Sequence, residues 1–188
     1  MADDLYLARG PRTGIRPFAE SDRAEFTTAA RASRDLHRPW LAPPATDEAY
    51  DGYFTRLQEP SRAGFLVCES DGGRIAGYMT INNIVYGAFR SGAVGYGAFA
   101  HAAGRGLMSE GLRLLLGHAF GALELHRLEA NIQPDNKSSI ALVKRAGFRL
   151  EGFSPDFLFI EGAWRDHERW AITSEMLTEA TSEPPGSR

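Results

Sequence analysis

The chain has 188 residues, is 43% hydrophobic and 24% charged, and carries a formal net charge of -3. That length allows one domain with a substantial core. The acidic balance argues against nucleic acid as the main partner, no apolar run reaches the roughly 18 residues that span a membrane, and the single cysteine, Cys68, excludes an internal disulfide.

The opening MADDLYLARG has acids where a secretion leader has basic residues and lacks an apolar stretch, so the expected compartment is the cytoplasm. Strand-like residues 5–7 and 13–17 bracket a turn at Gly10-Pro11. Ser21 and Asp22 open a helix to about residue 33, with Ser21 as N-cap. Residues 34–44, which hold Trp40 and three prolines, read as irregular. Thr46 caps a second helix to about residue 57, and Pro60 lies beyond its end. A strand at 63–69, a turn at Asp71-Gly72-Gly73 and a return strand at 74–82 form a hairpin. Cys68 lies in that apolar strand and reads as buried filler rather than a nucleophile.

After a loop at 86–90, residues 92–100 read as a strand. The loop Ala103-Gly104-Arg105-Gly106 then opens into an apolar helix at 107–120. In that helix Met108, Leu112, Leu115, Leu116 and Ala119 form one stripe, which must lie on a sheet, while Glu110 and Arg113 point outward. A strand at 127–132 follows, then the polar turn Pro134-Asp135-Asn136 and a short helix stopping at Gly147. Residues 152–160 and 164–173 make a last long hairpin about Glu161-Gly162. Residues 178–188, with Pro184-Pro185-Gly186-Ser187, read as a disordered tail, leaving 1–177 as the domain. The expected class is α/β, with one mixed, mostly antiparallel sheet. Its strands at 94–100 and 127–132 are joined through a helix, which favours a parallel right-handed crossover.

The junction at Gly106 carries the first chemical inference. The first turn of a helix leaves N–H groups without partners, and its dipole adds partial positive charge. Glycines upstream let a ligand approach the backbone, so the junction reads either as a tight turn or as an anion site. It is not a Walker loop, because no Gly-Lys-Ser/Thr follows, and it lacks the third glycine of a dinucleotide fingerprint.

The same segment resembles the pyrophosphate loop of the GNAT acetyltransferases, Gln/Arg-x-x-Gly-x-Gly/Ala, with His101, Gly104 and Gly106 at the patterned positions. Four further runs resemble the RimJ/RimL branch of that family, which acetylates protein N-termini: Leu125-His126-Arg127-Leu128-Glu129-Ala130; Pro134-x-Asn136-x-x-Ser139; Gly147-Phe148-x-x-Glu151-Gly152; and Gly162-x-Trp164-x-Asp166-His167. His37-Arg38-Pro39-Trp40-Leu41 and Ile81-Asn82-Asn83-Ile84 agree with it.

The resemblance implies a GNAT fold whose two neighbouring parallel strands splay around acetyl-CoA, with no metal and with direct attack by an amine. Backbone groups of Ala98, Phe99 and Ala100 are then expected on the pantetheine. Gly104, Arg105, Gly106, Leu107, Met108 and Ser109 are expected on the pyrophosphate. Asn136 is an N-cap, a pantetheine ligand, or both; Lys144 and Arg145 either reach the 3′-phosphate or form a solvated face. Glu129 is the favoured general base, against a solvent-facing strand carboxylate, with Glu161, Asp166 and His167 as rivals; Leu158 stands where some relatives have a carboxylate. The tyrosine that many relatives carry one turn into the second helix is absent, Val143 being near that place, so Ser139 is the expected proton donor to the thiolate. The acceptor is expected under Trp40, Asn83, Tyr86 and Trp164. It is a protein N-terminus in the first reading and a small amine in the second. A non-catalytic acyl-CoA sensor is a third reading. A homodimer is among the expected assemblies.

Overall fold

The central strands and α4 follow the pattern of apolar residues. The computed structural model describes residues 5–177; the tail expected at 178–188 lies outside them. The strands are β1 (Ala8–Arg9), β2 (Thr13–Pro17), β3 (Ala63–Glu69), β4 (Ile75–Val85), β5 (Ser91–Ala98), β6 (Arg127–Ile132), β7 (Arg149–Ile160) and β8 (Ala163–Thr173). They form one sheet in the order β1-β2-β3-β4-β5-β6-β8-β7. Every pairing is antiparallel except β5 with β6. The helices are α1 (Arg23–Ala32), α2 (Arg34–His37), α3 (Asp47–Arg56), α4 (Leu107–Gly121) and α5 (Lys137–Arg145).

Two apolar layers sandwich the sheet. On one face the α4 stripe, with Leu112, Leu115, Leu116 and Ala119 wholly buried, joins Val67, Met79, Leu128 and Val143. Each leucine, valine or methionine among them contributes roughly 1.5–3 kcal/mol by leaving water. On the other face Phe26 of α1 and Tyr50 of α3 pack with Tyr78 and Phe99. Among the described residues no helix is long and apolar enough to cross a membrane.

Local expectations change in several places. The first strand is Ala8–Arg9 rather than residues 5–7. Ser21 does not cap α1; it lies in a 3-10 turn, Glu20–Asp22, and the Asp22 carboxylate binds the Ala19 N–H and the Arg16 guanidinium. Part of the stretch expected to be irregular forms α2. β4 runs on to Val85 through a bulge after Asn82, with Asn83 at φ 53°. Thr46 does cap α3, accepting from the Ala49 N–H at 3.3 Å.

Candidate active site

The parallel pair sets the site. β5 and β6 are registered only over Ser91↔Arg127, Gly92↔Leu128 and Ala93↔Glu129. Beyond that point β5 stays with β4, as far as Ala98↔Gly77, while Ala130, Asn131 and Ile132 stay with β8. Each strand follows its outer neighbour, and the sheet opens between them. The opening holds a cavity of about 880 Å³, lined by β5 from Val94 to Ala98 and by β6 from Ala130 to Ile132.

Alternation along β5 divides the cavity into two sides. Val94, Tyr96 and Ala98 pack toward α4 and α5. Gly95 and Gly97 face the other way; a Cβ on Gly97 would fall 2.7 Å from the Tyr78 ring, so glycine lets that ring close on the strand. Phe99 donates its N–H to the Ala76 carbonyl of β4, so by the same alternation the backbone groups of Val94, Tyr96 and Ala98 point into the gap.

This revises the expected pantetheine edge. The Ala98 carbonyl already accepts from His37 Nε2 at 2.7 Å. The Phe99 N–H is taken by Ala76 and the Ala100 N–H by Ser33 Oγ. Phe99 and Ala100 do not line the cavity, while Val94 and Tyr96 do.

At the far end of the cleft Gly104 and Gly106 adopt φ of 74° and 78°, a conformation only glycine takes without strain, and α4 starts at once. Glu110 accepts from the N–H groups of Arg12 and Thr13 at 2.8 and 3.0 Å, anchoring the first turn of α4 to the β1–β2 turn. Gly104, Gly106, Met108 and Ser109 line the cavity. The Arg105 guanidinium instead turns to Glu69, at 2.9 and 2.7 Å, and Leu107 is buried in the core, so any role for these two lies in the backbone. His101 also points away, its ring stacked near Phe99 and its pKa lowered, chiefly by burial.

α5 supplies the third wall. Asn136 caps it, accepting from the Ser139 N–H at 3.2 Å, and also lines the cavity. Arg145 lines the cavity, whereas Lys144 lies over the Trp170 ring. Ser139 Oγ meets the Tyr96 hydroxyl at 2.6 Å. Burial pushes the Tyr96 phenol up to about 12, against a smaller opposing effect of that hydrogen bond. Sequence reasoning missed Tyr96. The phenol absent from α5 arrives from β5, across a separation of 43 residues, and no local pattern reports it.

Glu129 stands at the closed end of the splay and does not line the cavity. Its two oxygens are held by Arg127 at 3.0 Å and Arg169 at 3.4 Å. Among its rivals, Glu161 faces Arg38 at 3.9 Å and Asp166 accepts from the Asp156 N–H. His167 is buried and lines the cavity. Of the expected acceptor residues only Trp40 lines the cavity. Asn83 is exposed on the β4 bulge, and Asn82 takes its place on the wall. Tyr86 and Trp164 are 53% and 60% exposed and stand apart from it.

A sheet split between two parallel strands, with a helix N-terminus aimed at the split, leaves a long cleft that ends on the first turn of α4; together with the family match, it makes the protein an acyltransferase. Residues 12–149 match the model of the acetyltransferase (GNAT) domain, and the chain belongs to that family. It is 33% identical over 177 residues to the [ribosomal protein uS5]-alanine N-acetyltransferase of Escherichia coli, covering 89% of this chain and 90% of that one. It is 25% identical over 161 residues to the spermidine N(1)-acetyltransferase of the same organism, covering 84% of each. Mycobacterium smegmatis RimJ, solved in complex with CoA-disulfide, superposes with a TM-score of 0.82 at 29% identity, covering 92% of this chain and 93% of that one.

Proposed function

We propose that the enzyme uses acetyl-CoA, a co-substrate, to acetylate the N-terminal α-amine of a protein, in a cytosolic setting. The observation that carries this reading is the cavity's charge. Among the described residues that line it there is no aspartate or glutamate, and Arg145 is the one side chain with a fixed charge. A polyamine brings several ammonium groups with pKa values near about 10.4, and each would enter without a counter-charge. A peptide α-amine titrates near about 7.7–8.0 and reaches the neutral, nucleophilic form easily.

In this reading the backbone N–H groups of Gly104 to Ser109 hold the pyrophosphate, Arg145 faces the adenosine phosphate, and the inward backbone groups of Val94 and Tyr96 replace a missing strand partner for the pantetheine, with Asn136 nearby. The thioester supplies an activated acyl carbon. The paired hydroxyls of Ser139 and Tyr96 donate to the sulfur as it leaves; a phenol held near 12 stays protonated throughout the working range. Trp40 and Asn82 bound the acceptor side.

Steady-state kinetics with acetyl-CoA and either alanine-started peptides or spermidine tests the reading. Peptides are expected to exceed spermidine in kcat/KM by at least about tenfold, the equivalent of ~1.4 kcal/mol. Preference for spermidine would overturn it.

A further inference from the structure

We infer that His167 Nε2, and not the Glu129 carboxylate, takes the proton from the acceptor amine. The inference rests on the proposed acceptor only in requiring the amine to enter between α2 and the β7–β8 hairpin. His167 is 2% exposed, yet it lines the cavity. Its Nδ1 lies 2.8 Å from the Arg165 carbonyl. A carbonyl only accepts, so Nδ1 carries the hydrogen, and Nε2 of the neutral ring holds a lone pair. Nε2 makes no hydrogen bond among the described residues. The ring is held in place by Phe157, edge-on at 5.8 Å.

Asn131 supplies a second acceptor on the same face. It pairs with Arg169, two positions along β8 from His167, so the two side chains share one side of the sheet. Its Oδ1 is buried with no partner, and the residue lines the cavity. Two idle acceptors on one wall suit an entering amine, which has N–H groups to give. Glu129 offers the opposite case, a carboxylate already occupied by two guanidiniums and set outside the cavity.

The step balances. The nitrogen lone pair forms the bond to the acyl carbon and the C–S bond breaks. The nitrogen's proton goes to Nε2, and the thiolate leaves hydrogen-bonded to the Ser139–Tyr96 pair and then takes a proton from solvent. The products are the amide and free CoA thiol, and Nε2 returns its proton to solvent.

Arg165, two positions along β8 and so on the His167 face, is exposed. On β8 and β7, Asp166 binds the Asp156 N–H, Glu168 binds Trp170 Nε1, and Arg169 lies over Phe157. His37, which also lines the cavity, gives Nε2–H to the Ala98 carbonyl, and burial lowers its pKa.

His167→Asn isolates the claim, because the asparagine NH₂ can keep the bond to the Arg165 carbonyl while the Nε2 lone pair is lost. With the acceptor on which the wild type works best, kcat is expected to fall about 10²–10⁴-fold. KM for acetyl-CoA should hold within about twofold, and the acid limb of the kcat–pH profile should move to the acceptor amine's own titration. Activity within about threefold of wild type with the limb intact would overturn the inference. So would a Glu129→Gln variant that loses the limb while His167→Asn keeps it. ¹⁵N NMR of the folded wild type gives a reading that depends on no variant: the neutral His167 must carry hydrogen on Nδ1, and hydrogen on Nε2 refutes the assignment. If spermidine proves the better acceptor, the acceptor proposal fails, and the same comparison runs on spermidine.

Discussion

Tyr96→Phe removes one oxygen and keeps the ring, so the packing of β5 against α4 and α5 survives. The lost contact is the 2.6 Å bond to Ser139 Oγ. As a bond between two neutral hydroxyls it contributes only about 0.5–1.5 kcal/mol to folding, and the stability change should be small. The kinetic effect is larger if the pair stabilises sulfur as the C–S bond breaks. Removing one preorganised donor from a developing anion costs about 10²–10³-fold in kcat, or ~2.7–4 kcal/mol. Ser139→Ala should cost a similar factor, and the double variant little more than either single, because each hydroxyl acts through the other. The assay is thiol release under saturating acetyl-CoA and acceptor for all four forms, analysed as a double-mutant cycle. A coupling close to the cost of one single variant, about 2.7–4 kcal/mol, is expected, at or above the upper end for groups in contact. Strict additivity, or a Tyr96→Phe enzyme with unchanged kcat, refutes the reasoning.

Other perturbations have equally definite outcomes. Gly106→Ala places a side chain at φ 78° with its Cβ 3.1 Å from Arg12 Nη2. The left-handed backbone costs an L-residue about 1–2 kcal/mol, which should appear as lost stability or, if the loop relaxes, as roughly five- to thirtyfold weaker CoA binding by calorimetry. Wild-type values of both would contradict the loop assignment. Leu112→Ala, at a wholly buried position of α4, should cost about 2–5 kcal/mol and lower Tm by roughly 5–20 °C in differential scanning calorimetry. Glu151 is drawn down to about 2 by Arg127 first and Arg149 second, against an ordinary 4.5. A lowered carboxylate stabilises fully above its unfolded value and loses that contribution as pH falls. Urea midpoints of wild type and Glu151→Gln should therefore differ above pH 4.5 and converge toward pH 2; a constant gap would deny the pairing.

Much of the frame was legible because it is written in short-range chemistry. The β3 and β6 boundaries, the Thr46 and Asn136 caps, the Gly104–Gly106 turn and the α4 stripe all follow from period, capping preference and glycine's freedom. The site was less legible, because its residues meet across the sheet. Asn83 looked like a wall residue until the β4 bulge exposed it and left Asn82 facing the cleft. Alternation correctly puts Glu129 on the face opposite Leu128, but nothing in Leu-Glu-Ala announces that Arg127 and Arg169 occupy it. The Tyr96–Ser139 pair and the engagement of Ala98 by His37 join segments 43 and 61 residues apart. Only the assembled sheet brings those groups within bonding distance.

A crystal structure of the protein with acetyl-CoA tests the cleft itself. The diphosphate should lie within hydrogen-bond distance of the backbone N–H groups at the start of α4, and the pantetheine should run between residues 94–98 and 130–132. Coenzyme bound elsewhere, or an empty cleft at saturating acetyl-CoA, would contradict that placement.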